Sequence, residues 1–180
     1  MEAKMIIGIP LKNFREAYTR LKYVLTEEGR SNLTKSLLVN MVNSFKVTDS
    51  DIYLITKDTE AIEFAKSLNI LSYSSDVTGL NGEVQSFVDS TYHTNSPWCI
   101  VHSDLPYINK FYAKQLVNDI KHHDFIASRS EDNGTPIIGG VKKLNKFHYG
   151  INSFTLHQKE VAKRDSELSI IFSRELSFEI

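Results

Sequence analysis

Short apolar runs alternate with amphipathic stretches along most of this chain. The runs at 5–9, 51–56, 70–73, 98–101, 124–128 and 135–141 are rich in β-branched and aromatic residues, which predicts strands. Pro10 ends the first, and the pair Gly139-Gly140 weakens or bulges the last. The stretches between them carry a helical period. Leu33, Leu37, Leu38, Met41, Val42 and Phe45 predict an amphipathic helix running to about Lys46. Thr26 is its N-cap, and Glu27 and Glu28 fall in the first turn, where acids suit the helix dipole. Asp58 caps a second helix through Ala61, Ile62, Phe64, Ala65 and Leu68. Asn81 opens a third over 82–93, with Val84, Phe87 and Val88 turned inward. Asn109 caps a fourth through Phe111, Tyr112, Leu116, Val117 and Ile120, and a turn over 147–157 leads into a fifth, capped by Asn152 or Ser153. Two short apolar pieces, 169–172 and 176–180, complete the pattern. Strand, helix, strand, helix, strand with short connections predicts an α/β fold, a mostly parallel doubly wound sheet in one domain over residues 1–180.

Composition agrees with that picture and removes several function classes. The chain has 180 residues and an ordinary globular balance of hydrophobic and charged side chains. A net charge of −1, with Lys and Arg scattered, lacks the basic footprint of a nucleic-acid binder. No apolar run approaches the ~20 residues of a membrane span. Residues 1–7 are too short and too acidic to read as a signal peptide, so a cytoplasmic location is expected. Cys99 is the only cysteine, which rules out an internal disulfide, and it reads as a small hydrophobe in a buried strand. There is no Walker-type loop and no dinucleotide glycine fingerprint. His122 and His123 are adjacent, so they cannot both face one metal on a helix.

Candidate chemistry gathers at the predicted strand ends. Residues 98–101 read as a buried parallel strand that stops near His102, because Ser103, Asp104 and Pro106 are turn residues. Asp104 then stands past a carboxyl end, where open α/β sheets bind ligands. A carboxylate there either holds a divalent cation against a phosphate or caps the turn before the next helix. After the first strand comes a basic loop, whose Lys12, Arg15 and Arg20 either meet nucleotide phosphates or stay solvated. The loop 74–82 offers Asn81 as a base or ribose contact, or as a plain helix cap. At 147–157, backbone amides at a helix start beside a hydroxyl make an anion site, or a satisfied cap.

Several short motifs run in order along the chain. They are Ile9-Pro10-Leu11-Lys12 with Ala17-Tyr18-Thr19-Arg20-Leu21 and Leu25-Thr26-Glu27-Glu28, then Gly79-Leu80-Asn81, Asp104-Leu105-Pro106, Gly134-Thr135, and Tyr149-Gly150 with Ser153-Phe154 and His157. Each is weak alone. In this order and spacing, over 9–179, the chain resembles the 2-phospholactate guanylyltransferases of CofC type. The family usually has a basic residue at the place of Tyr18 and Asn at the place of Pro136, and proline lacks the backbone donor. An acid-rich C-terminal segment of the family would begin where this chain reads Phe178-Glu179-Ile180.

The resemblance implies a nucleotide-diphospho-sugar-transferase-like (Rossmann-like) fold and a transferase of deazaflavin coenzyme biosynthesis. A small phosphorylated acid (2-phospholactate, phosphoenolpyruvate or 3-phosphoglycerate) attacks the α-phosphate of a nucleoside triphosphate, usually GTP, and pyrophosphate leaves. It implies Lys12, Arg20 and Asp104 as catalytic residues, and Lys12, Arg20, Gly79, Leu80 and Asn81 as nucleotide contacts. Thr135, Gly150 and Ser153 become the cradle of the acceptor phosphate. Mg²⁺ is the implied cofactor, held by Asp104 with Glu179 in place of the family's later acid, and a homodimer is compatible with the resemblance. Two other readings stay open. One is the same fold with another nucleotide or a phosphosugar or phosphonate acceptor, and the other is a nucleotide-binding protein without turnover.

Overall fold

A seven-stranded sheet carries the functional residues on one edge. The computed structural model describes residues 4–93 and 96–180; Met1 to Ala3, part of the acidic start, lie outside the described residues. The strands are β1 (Met5–Pro10), β2 (Ser50–Ile55), β3 (Leu71–Tyr73), β4 (Trp98–Val101), β5 (Phe125–Ser128), β6 (Ile137–Gly140) and β7 (Leu168–Ile171). Their order is β3-β2-β1-β4-β6-β5-β7. β6 runs against both β4 and β5, and the other pairings are parallel. The expected mostly parallel sheet is thus observed. β6 is reversed because residues 129–136 join it directly to β5, and that span is too short for a crossover helix.

The helices are α1 (Glu27–Phe45), α2 (Thr59–Ser67), α3 (Leu80–Thr91), α4 (Lys110–Ile120) and α5 (Ser153–Ala162). Their starts follow the expected capping chemistry in three cases. Thr26 accepts from the Gly29 amide, Asp58 from the Ala61 amide, and Asn109 from those of Phe111 and Tyr112. Two starts differ from the sequence expectation. α3 begins at Leu80 behind Gly79, which has φ 87°, so Asn81 lies inside the first turn instead of opening it. α5 follows Asn152 in the left-handed conformation (φ 57°) with no side-chain cap, because the Asn152 amide oxygen accepts from Asn133 instead.

Two apolar clusters cover the two faces of the sheet. One joins β1 and β2 to Leu38, Met41 and Val42 of α1, Ala61 and Ala65 of α2, and Leu116 and Ile120 of α4. The other joins Ile100 and Ile138 to Val84 and Phe87 of α3 and Phe154 and Val161 of α5. Residues 174–176, which run into the second C-terminal apolar piece, form a single 3₁₀ turn, and Leu176 buries against the first cluster. Among the described residues no helix is long and apolar enough to cross a membrane.

The glycine pair in β6 is explained by close approach. A Cβ on Gly139 would stand 2.4 Å from the Trp98 carbonyl oxygen, and one on Gly140 2.1 Å from that of Asp124. Gly139 is paired on both sides and Gly140, the last residue of β6, with β4, so these glycines admit neighbouring backbone.

Candidate active site

Parallel β1 and β4 are neighbours, so the segments following them emerge side by side. Lys12 and Arg20 come from the first segment, His102 and Asp104 from the second. Reversed β6 brings its beginning to the same edge. Val101 pairs with Ile137, and the His102 amide donates to the Pro136 carbonyl at 2.9 Å. A seventh parallel strand in that place would have carried Thr135 to the far edge. The loop 129–134, the start of α3 and the start of α5 close around this meeting point.

The result is a cleft with two lobes. The first, of about 400 Å³, is lined by Lys12, Tyr18, Arg20, Gly79, Leu80, His102 and Asp104 among others. The second, of about 570 Å³, is lined by Leu80, His102, Asp132, Gly134, Thr135, Tyr149, Gly150, Ile151, Ser153 and Glu179. Leu80 and His102 face both. The residues expected for nucleotide and for acceptor phosphate therefore separate into adjoining lobes, apart from Leu80, which faces both, and Asn81. Asn81 lines neither, because its amide oxygen accepts from the Tyr149 amide and its nitrogen donates to the Tyr149 carbonyl at 3.0 Å. It ties the first turn of α3 to the segment before α5.

His102, Asp104 and Glu179 meet at the junction, with one ligand atom from each lying within 4.8 Å of the others. His102 Nδ1 and Glu179 Oε1 are 2.9 Å apart. Asp104 Oδ1 and His102 Nε2 are buried and have no hydrogen-bond partner among the described residues. Burial pushes the Asp104 carboxyl up to about 6; Glu179 adds to the shift, while His102 and Arg20 oppose it. An unpartnered buried carboxylate oxygen beside a second carboxylate suits a hard cation. Glu179 is held there by its neighbour: the Ile180 amide donates to the Asp104 carbonyl, and Arg20 Nη2 donates to the Ile180 carbonyl at 2.9 Å. Lys12 lies at the outer rim, paired with Glu16.

Gly79 and Gly150, at φ 87° and 123°, have nothing within 4 Å of where a Cβ would stand. Each opens bare backbone toward a lobe that it lines, in a conformation glycine adopts at no steric cost. At α5 the second of the two expectations, a satisfied helix start, is the one observed. The Ser153 amide donates to the Gly150 carbonyl and the Phe154 amide to that of Asn133, so both are spent on the fold. What this start offers the lobe is the Ser153 hydroxyl. It lies 3.0 Å from Thr135 Oγ1, which lies 3.0 Å from His157 Nδ1.

His102 and Asp132 escaped the sequence analysis as site residues. His102 stands two positions before Asp104 at a strand end, which was a usable signal. Asp132 carries no signal beyond its place in 129–134, a stretch long enough to be a binding loop.

The chain matches the family model described as guanylyl transferase CofC like over residues 5–180. The chain belongs to this family. It is 31% identical to the 2-phospho-L-lactate guanylyltransferase of Methanobrevibacter smithii over 131 residues, covering 72% of this chain and 58% of that protein. To the protein of the same name from Methanosphaera stadtmanae it is 29% identical, covering 98% of this chain and 79% of the other. A Desulfovibrio desulfuricans structure provisionally assigned as a nucleotide-diphospho-sugar transferase superposes with a TM-score of 0.78 at 14% identity, over 94% of this chain and 80% of that one. At that identity the likeness concerns the fold, and it agrees with the expected nucleotide-diphospho-sugar-transferase-like architecture. Of the CofC-like motifs, Pro10-Leu11-Lys12, 17–20, Gly79-Leu80, Asp104, Gly134-Thr135, Tyr149-Gly150 and Ser153 supply residues that line the two lobes.

Proposed function

We propose that this CofC-like chain transfers the nucleoside monophosphate of a nucleoside triphosphate, GTP in the first instance, to the phosphate of a small phosphorylated acid. The observation that carries the reading is the junction of the two lobes at His102, Asp104 and Glu179. A transfer between two bound substrates needs them to meet in line, and a charge-compensating site belongs where they meet.

In this reading the triphosphate occupies the first lobe. Gly79 lets its backbone approach the nucleotide, and Lys12 and Arg20 hold the outgoing phosphates. The acid's phosphate sits in the second lobe against Thr135, Gly150 and Ser153. One of its oxygens attacks the α-phosphorus, the new P–O bond forms as the α–β bridge breaks, and pyrophosphate leaves with the electron pair. Asp104 and Glu179 would hold Mg²⁺, which supplies positive charge against the phosphates when bound. His102, bonded to Glu179, fixes the direction of that carboxylate.

The test is pyrophosphate release with Mg²⁺, crossing four nucleoside triphosphates with 2-phospholactate, phosphoenolpyruvate and 3-phosphoglycerate. Release that needs one nucleotide and one acid is the expected result and names both. Silence throughout, with nucleotide still bound by calorimetry, overturns it in favour of a binding protein without turnover. Arg20→Ala should weaken triphosphate binding by about 2 kcal/mol, the worth of a charge-assisted bond. In calorimetry that is roughly a thirtyfold rise in Kd. A rise below about threefold would leave Arg20 as a tie to the chain's last residue and nothing more.

A further inference from the structure

His157 touches neither lobe, yet it is fully buried and bonded at both ring nitrogens. The His148 amide lies 2.9 Å from Nε2. An amide can only donate, so Nε2 must be a bare acceptor. A neutral imidazole then carries its proton on Nδ1 and donates to Thr135 Oγ1 at 3.0 Å. Thr135 is buried, and the acceptor left for its own hydrogen among the described residues is Ser153 Oγ, 3.0 Å away. Ser153 Oγ is thereby an acceptor on its inner side, and its hydrogen is left for the second lobe. Burial also favours the neutral ring, pushing His157 down to about 3. The direction of the whole series follows from one backbone amide, because every later member is amphoteric and turns to match.

We infer that His157 is a positioning residue that orders the series His148 amide, His157, Thr135, Ser153, so that Ser153 presents a fixed hydroxyl donor to the acceptor's phosphate. This rests on the assignment of the second lobe to the phosphorylated acid. It deepens that assignment, since a cradle whose hydroxyl hydrogen is aimed at the lobe favours a group that can only accept. A fully ionised phosphate is such a group; a neutral hydroxyl or amide in its place is not held to that direction. No proton is transferred. The effect is orientation, fixed before the ligand arrives.

Two measurements decide it. Nitrogen-15 NMR of histidine-labelled protein reads the tautomer directly. Nδ1–H with a bare Nε2 is expected for His157, and an Nε2–H tautomer or an imidazolium overturns the inference. Calorimetry with 2-phospho-L-lactate, in the presence of nucleotide and Mg²⁺, reads the consequence. Thr135→Val keeps the shape and removes the hydroxyl, so acid affinity should fall about tenfold, as for one lost buried hydrogen bond. Thr135→Ser should restore most of it, and nucleotide Kd should move less than about twofold in both variants. A purely structural Thr135 would move both ligands together, which overturns the inference. Acid binding unchanged in Thr135→Val overturns it too, while leaving the second-lobe assignment standing. Wild-type protein that binds none of the three phosphorylated acids overturns the assignment and the inference with it.

Discussion

Replacing Asp104 with Asn should abolish Mg²⁺-dependent pyrophosphate release, a loss of about 10³-fold or more, while the protein stays folded. The substitution changes few atoms and one charge. Asp104 Oδ1 is buried with no hydrogen-bond partner among the described residues, beside Glu179 and His102, so its ionised form gains most from a bound cation. Burial already pushes that carboxyl toward its neutral form. An amide of the same shape is therefore as easy to bury as the carboxylate, or easier, and thermal stability without metal should be unchanged or higher. The measurement pairs turnover with melting curves taken with and without Mg²⁺ and nucleotide. The ligands should raise the wild-type midpoint and leave that of Asp104→Asn unmoved. A variant that turns over at the normal rate removes Asp104 from the cation's shell. Loss of turnover with a collapsed midpoint would make Asp104 a structural turn residue.

Gly139→Ala should destabilise the fold by about 3 kcal/mol, the upper range for overpacking in a well-packed core. In a chain of this size that lowers the melting midpoint by roughly 6–12 °C. The added methyl would meet the Trp98 carbonyl oxygen at 2.4 Å and Cys99 Cα at 3.1 Å. These are backbone atoms of the central strand, with no rotamer to escape into. The same pairing sets Pro136 beside His102, so sliding β6 would displace the segment that carries Thr135. Circular-dichroism melting checks it, and a midpoint within about 2 °C of wild type would mean that the strands part at little cost.

The elements were legible because the period of apolar residues is a local property. α1 and α4 were expected with their N-caps in place, and β4 was expected as a buried strand. The direction of β6 was less legible, since a strand reads alike both ways; only the absence of a helical stretch in 129–136 marked the reversal. Pairings across the chain were not legible at all. The partner of Asn81 is a backbone 68 positions on, and that of His102 is a carboxylate 77 positions on. A polar residue beside a glycine looked like a ligand contact because the competing partner was invisible. The two readings of the α5 start stay undecided in the sequence for the same reason. A free amide and one spent on Asn133 have the same sequence.

Leu80 and His102 form a wall shared by the two lobes. A shared wall has a kinetic meaning. Whichever substrate arrives first completes a surface for the second, so each alters the affinity of the other, and by the same factor. Initial-rate lines for the two substrates should intersect instead of running parallel, as for a reaction through a ternary complex with no nucleotidylated protein between two half-reactions.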